Sequence, residues 1–363
     1  MTQTTAKTSP VTIGLDVGDR NTHACVLDAS RAVVARFSFA TTGSQLTHAL
    51  RGFPSARLVI EAGSQSPWMS RHLREQGFAV HVADPRRVQL LAQDPRKTDR
   101  RDAETLARME AGMPELLGAV HHRGLQAQAD LAIVRARDLV VRMRTKAIQC
   151  IRGMSKAFGV RLPNASSKVF TKRAIEELPV ELKPAIEPLL AQIDQLSETI
   201  RNYERRMDDV VHERYAAEVA LLRQVSGVGR ITATAFVLTL ETPDRFETSR
   251  QVGSWLGLCP RSQASGDADP RLPISKAGDG ALRRLLVQCA QYILGPFGGR
   301  QESDLRNFGL ALVARGGRAA KRKAVTAVAR KLAVLLHSLW KHKSTYEPLR
   351  QTACRPRRVA LKA

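Results

Sequence analysis

The chain has 363 residues with 57 Lys+Arg against 34 Asp+Glu, a formal net charge of +23; at roughly 150 residues per domain this suggests two or three domains, and the charge points to a polyanionic partner. No stretch approaches ~18 uninterrupted apolar residues, which argues against a membrane span, and Met1 to Pro10 lacks the apolar core of a signal peptide. Five cysteines without zinc-like spacing read as free thiols of a reducing cytoplasm, and aromatics at 5% leave little material for base-stacking platforms.

Residues 11–16 and 22–28 read as two strands joined by the turn Val17 to Asn21, and Ala32 to Ala40 as a third. A helix near Ser44 to Arg51, a strand near Arg57 to Glu61, a helix near Pro67 to Gln76 and a strand from Ala79 to Val82 follow. A longer helix begins near Asp99. Three antiparallel strands leading into alternating helices and parallel strands is the RNase H-like order, so the expected fold class is α/β at the N-terminus. Residues 125–158 carry apolar or small side chains at Ala129, Ile133, Ala136, Val140, Met143, Ala147, Cys150 and Met154, alternating gaps of four and three. A second seam of this kind runs through Leu189, Ile193, Leu196, Ile200, Tyr203, Met207 and Val210. The two are expected to pair as a coiled coil, within the chain or between subunits. The rest is expected to be mostly helical. Gly227-Val228-Gly229 before Arg230 resembles the turn of a helix-hairpin-helix, where backbone N–H groups at a helix N-terminus meet phosphate. The last helix, near Lys321 to Lys341, opens with Lys321, Arg322 and Lys323, and no acid occurs between Ala311 and Lys343. Arg355 to Arg358 reads as a disordered basic tail within residues 351–363.

Four acids in the first third carry the chemistry. Asp16 and Glu61 each close an apolar strand, and side chains at strand ends point into the crevice where open α/β sheets bind ligands. Asp99 and Asp102 lie three apart and so share one face of a helix. Four carboxylates this close repel and raise one another's pKa, and a hard divalent cation such as Mg²⁺ relieves that. Sugar kinases and actin-like ATPases open similarly but need a phosphate-cradling glycine loop, for which no good candidate is present. Ser265, before Gly266, reads alone as a turn former; none of the nine histidines lies close to it in sequence to serve as its base.

The segments Ile13-Gly14-Leu15-Asp16-Val17-Gly18, Glu61-Ala62 and Lys97 to Ala103 resemble the front domain of the insertion-sequence one-ten (IS one-ten) transposases. Gly227-Val228-Gly229, Gly257 to Arg261, Ser265-Gly266 and Ile274 to Gly278 resemble its back domain. The resemblance covers nearly the whole chain, with Asp267-Ala268-Asp269 standing where the family usually has further glycines. It implies a RuvC-like domain over residues 1–120, a helical coiled-coil spacer over 121–216 and a serine-bearing transposase domain over 217–350. It also implies Mg²⁺, with Mn²⁺ possible, held by Asp16, Glu61, Asp99 and Asp102, and Ser265 attacking the scissile phosphate to give a phosphoserine link. DNA would be the substrate, an element-encoded structured guide RNA a partner, and the assembly a homodimer or homotetramer. Nucleic-acid contacts are expected at Gly227, Gly229, Arg230, Arg261, Lys276, Lys321, Arg322 and Lys323. Two other functions fit the same residues: a metal-only junction nuclease, and a non-catalytic nucleic-acid-binding scaffold.

Overall fold

The computed structural model describes residues 11–91, 98–162, 164–167, 169–263, 272–296 and 301–350. The chain divides into two compact units, Met1–Arg123 and Gly124–Ala363.

In the first unit, β1 (Thr12–Val17), β2 (Asn21–Leu27), β3 (Val33–Ala40), β4 (Arg57–Glu61) and β5 (Ala79–Ala83) form one sheet in the order β3-β2-β1-β4-β5. The pairs β1–β2 and β2–β3 are antiparallel, and β1–β4 and β4–β5 parallel. This is the meander followed by crossovers that the strand pattern suggests. Because side chains alternate along each strand, the sheet has two distinct faces. Ile13, Leu15, Leu58 and Ile60 pack on one side with Leu46 and Leu50 of α1 (Gly43–Leu50) and Met69 and Leu73 of α2 (Ser66–Glu75). The other side meets α3 (Pro85–Leu91), α4 (Asp99–Gly112) and α5 (Pro114–Leu117), through Cys25, Leu27, Ala103 and Ala107 in one cluster and Val59, Ala83, Val88, Leu106 and Leu117 in another. The result is a three-layer unit with α4 lying on the central strands.

The second unit is helical: α6 (Leu125–Ala157), α7 (Phe170–Glu177), α8 (Lys183–Val210), α9 (Ala216–Leu222), α10 (Arg230–Leu240), α11 (Ser249–Trp255), α12 (Gly280–Leu294), α13 (Asp304–Ala314) and α14 (Ala320–His342). Helix α10 is buried at every position from Thr232 to Leu240, as a helix apolar all round must be, and forms the unit's centre with α6, α9 and α12 around it. Helices α6 and α8 run antiparallel: Arg137 bonds Glu204 while Arg144, two turns on, bonds Ser197.

The seam expected on α8 is the buried one, with Ile193, Leu196, Ile200, Met207 and Val210 all inward. The seam expected on α6 is not. Ala129, Met143 and Cys150 are exposed, and the buried stripe is Ala127, Asp130, Leu131, Val134, Ile151 and Ser155. The inward face of α6 is polar along its middle, where Arg137 and Arg144 take partners from α8. A reading confined to apolar residues therefore settles on a neighbouring stripe.

Candidate active site

Asp16 is the fifth residue of β1. It pairs in register with His23 on β2, as Gly14 pairs with Cys25. Directly opposed residues share a face, so Gly14, Asp16 and His23 belong to the face covered by α4. On the neighbouring strand Val59 lies on that face, and Glu61, two residues on, follows it. The β1–β4 pairing runs to Leu15↔Ile60, which sets Glu61 beside Asp16 at the C-terminal ends of these two inner strands. Three adjacent strands thus deliver His23, Asp16 and Glu61 in a row.

Helix α4 brings the other two acids. Its N-cap is Thr98, whose hydroxyl accepts from Arg101 N at 3.4 Å and whose carbonyl accepts from Asp102 N at 2.9 Å. Asp99 and Asp102 occupy the first turn, where the helix dipole favours anions. The close seating of α4 depends on Gly14. A Cβ there would lie 2.1 Å from the Ala103 carbonyl oxygen and 2.6 Å from Ala107 N. Small residues at Ala103 and Ala107 complete the contact. Farther along, Glu104 bonds Arg36 of β3 at 2.7 Å, and buried Glu110 meets His81 of β5 at 2.5 Å. The helix is therefore pinned to the sheet along its length.

The electrostatic consequence falls on Asp16. Its carboxyl is pushed up to about 6, first by burial and then by the negative charges of Asp102, Asp99 and Glu61; His23 opposes the shift. A carboxylate so placed lacks positive charge, and the set around it is mostly oxygen, the donor type of hard divalent cations. The residues fit such an ion by their chemistry. Among the described residues no group of three His, Cys, Asp or Glu side chains is already drawn together as a metal cage, so binding would require the donors to close in.

In the second unit, Ser265 lies outside the described residues, but the segments on both sides of it are held together. Arg261 N bonds Pro273 O at 3.0 Å, Ser275 N bonds Cys259 O at 2.9 Å and Lys276 N bonds Gly257 O at 3.1 Å. Pro260 and Ile274 form an antiparallel bridge. The pairing needs glycine twice: Gly257 and Gly278 both have φ +66°, and a Cβ would lie 2.2 Å from Ala277 N and 2.0 Å from Trp255 O, respectively. Arg283 ties α12 to this clamp through the carbonyls of Leu256 and Ala277. Lys276, exposed, sits in it at φ +56°, a conformation costly for a side-chain-bearing residue.

The other basic and glycine positions are placed as follows. Gly229 is the N-cap of α10 with open space at its Cα, while Gly227, at φ +87°, packs against Ile293 and Tyr292. The Arg230 guanidinium is held by Glu204 and Asp208. Arg261, Lys321, Arg322 and Lys323 are exposed.

Comparison with known proteins accounts for both halves. A DEDD-type transposase family model of the IS110 kind matches residues 13–157, and one described as "Transposase IS116/IS110/IS902 family" matches residues 219–301. The transposase for insertion sequence element IS1328 of Yersinia enterocolitica is 30% identical over 283 residues, 77% of this chain and 82% of that protein. The chain belongs to the IS116/IS110/IS902 family of transposases. The transposase for element IS1111A of Coxiella burnetii is similar over more of the length, 26% identical across 92% of this chain and 90% of its own. A probable family 20 transposase of Pseudomonas aeruginosa is 28% identical over 287 residues.

The transposase is thus an enzyme acting on DNA, and its DEDD-type front domain suggests use of a divalent metal. Asp16, Glu61, Asp99 and Asp102 all fall inside the first matched segment, and the clamp and Ser265 inside the second. Among the described residues no helix is long and apolar enough to cross a membrane. Sequence reasoning passed over His23 and gave Gly14 no role of its own. The short turn 17–21 sets Asp16 opposite His23, so the histidine could have been found by counting back along the hairpin. Gly14 could not, since its partners lie some ninety residues away.

Proposed function

We propose that the transposase cuts and rejoins DNA with Asp16, Glu61, Asp99 and Asp102 holding Mg²⁺ or Mn²⁺ and Ser265 as nucleophile. The observation that carries this reading is the placement of Asp16 and Glu61 at the ends of adjacent inner strands with Asp99 and Asp102 in the first turn of the helix covering them, which pushes the Asp16 carboxyl up to about 6. When bound, the cation would neutralise charge on the scissile phosphate and assist ionisation of the nucleophile. The protein's own side chains supply the remainder. Asp99 and Asp102 act as one unit through the first turn of α4, and Asp16 and Glu61 set the floor beneath them. Ser265 Oγ attacks phosphorus and forms an Oγ–P ester as the P–O bond to one DNA strand breaks. The hydroxyl proton passes to the departing oxygen. One ester replaces another, so neither water nor a redox partner is consumed. Attack on the phosphoserine by a DNA hydroxyl then restores the serine and joins the strands.

Several features support the assignment of Ser265. It stands in the motif order shared with the family, and the segments flanking it in sequence, 257–261 and 273–277, are paired with each other. Arg261 and Lys276, exposed on those segments, would meet phosphate oxygens, as would Lys321, Arg322 and Lys323 on α14 and the α10 N-terminus at Gly227 and Gly229. Arg230 would join them by exchanging its carboxylate partners for a phosphate. A structured guide RNA would supply sequence choice by base pairing, leaving the protein to read backbone. Recombination joins four DNA ends, which suits a homodimer or homotetramer.

A suicide DNA substrate with Mg²⁺ tests the reading. Wild type is expected to give a protein–DNA adduct that survives denaturing electrophoresis. Ser265→Ala is expected to give none, and Asp16→Asn neither adduct nor cutting. Cutting by Ser265→Ala without an adduct would replace this mechanism with metal-only hydrolysis.

A further inference from the structure

We propose that His23 is a fifth ligand of the cation at the acidic site, a single nitrogen donor among oxygens. The inference rests on the metal reading above and extends its ligand set beyond the four acids.

Three observations converge on this histidine. Its place on β2 is opposite Asp16 in the β1–β2 register, on the face that α4 covers. Its Nε2 lies 3.6 Å from Asp99 Oδ2. That separation is too long for a hydrogen bond. It is the spacing of two donors on one ion: atoms each ~2.1 Å from a metal and roughly 90–120° apart are about 3.0–3.6 Å from one another. The two side chains also differ in exposure. His23 is 22% exposed and Asp99 74%, so a largely covered imidazole would face an exposed carboxylate. Among the described residues no hydrogen bond occupies either ring nitrogen of His23, whereas His81, the other imidazole on this side of the sheet, is engaged with buried Glu110.

A nitrogen donor changes what the site prefers. Carboxylate sets suit Mg²⁺ and Mn²⁺ alike, while imidazole binds transition ions better than Mg²⁺. His23 would therefore favour Mn²⁺, adding a bond that Mg²⁺ uses poorly. It would also tie the ion to β2, the strand that carries His23.

The test is Mn²⁺ binding to the full-length chain without DNA, followed by titration calorimetry and by pulsed paramagnetic resonance for nitrogen coupling. Wild type is expected to show imidazole nitrogen coupling to the bound ion. His23→Gln is expected to abolish the coupling and weaken Mn²⁺ about tenfold, with Mg²⁺ changed less than about threefold, in line with the losses seen when groups supporting a metal site are removed. His23→Asp, which keeps a donor, is expected to bind Mn²⁺ more tightly than His23→Gln while showing no nitrogen coupling. Bound Mn²⁺ without nitrogen coupling in wild type, or coupling that persists in His23→Gln, overturns the assignment of His23 and leaves the four acids in place. Mn²⁺ affinity unaltered by Asp16→Asn removes the acidic site itself, and His23 with it.

Discussion

Replacing Gly14 by alanine adds one methyl group where the structure has no room for it. The new Cβ would lie 2.1 Å from the Ala103 carbonyl oxygen, 2.6 Å from Ala107 N and 3.0 Å from Ala107 Cβ. Two of these three are backbone atoms of α4, so no side-chain rotation relieves the contact. Either α4 withdraws by roughly 1 Å or β1 bends away, and overpacking of this kind costs about 1–3 kcal/mol. The same retreat separates Asp99 and Asp102 from Asp16 and Glu61. A shift of about 1 Å in a reacting constellation costs on the order of a hundredfold in rate. Urea unfolding of Gly14→Ala is therefore expected to show a loss of about 1–3 kcal/mol. Mn²⁺ affinity and strand cleavage should fall together, more steeply than stability accounts for. Gly52→Ala is the control, because a Cβ at Gly52 meets nothing within 4 Å, and it should change neither binding nor cleavage. If Gly14→Ala unfolds with the wild-type midpoint and cleaves at the wild-type rate, the seating of α4 on β1 does not set the site.

Three further outcomes are expected. In metal-free protein the raised Asp16 pKa means the folded state holds its proton more tightly than the unfolded chain, so stability falls as pH rises from about 4 to about 6. Asp16→Asn should then stabilise the protein at pH 7 by about 1 kcal/mol, allowing for solvent screening of a partly exposed group, and the gain should vanish below pH ~4; an equal effect at pH 3 and pH 7 would contradict it. On α6, Ile151→Lys buries a charge at a fully buried position and should cost about 3 kcal/mol or more, whereas Met143→Lys, 49% exposed, should leave the melting curve unchanged; the reverse order would restore the apolar seam. Lys276→Gly relieves the φ +56° strain and should hold or raise stability. It should also reduce the salt dependence of DNA binding by about one phosphate contact, seen as a slope change near 0.9. An unchanged slope would separate Lys276 from the DNA.

The carboxylates were legible because strand ends are marked twice, by the apolar run before and the turn after. Asp16 and Glu61 needed only that local pattern, and the spacing of Asp99 and Asp102 needed only helical geometry. The succession of strands and helices followed from the same local signals, whereas the parallel pairing of β1 with β4 joins segments some forty-five residues apart. What stayed hidden depends on partners distant in the chain. Gly14 is a common residue after any apolar strand start, and only Ala103 and Ala107 arriving on top of it show why a side chain is excluded. Likewise Arg137 and Arg144 read as solvated charges on α6 until Glu204 and Ser197 of α8 stand opposite them.

That difference also bears on the site's chemistry. The four acids sit at or near element ends, where a local motif can record them. Residues that hold the site together act through packing between elements. In the first unit those are Gly14, the Glu104–Arg36 pair and the His81–Glu110 pair, each joining α4 to a different strand. In the second unit Gly257, Gly278 and Arg283 do the same for the paired segments that flank Ser265 in sequence. Both halves of the proposed reaction thus rest on tightly seated backbone, and both leave exposed side chains, Asp99 in one and Lys276 in the other, where DNA would arrive. Closely packed support beneath exposed contacts suits a transesterification, because the phosphate must be gripped during attack and released after rejoining.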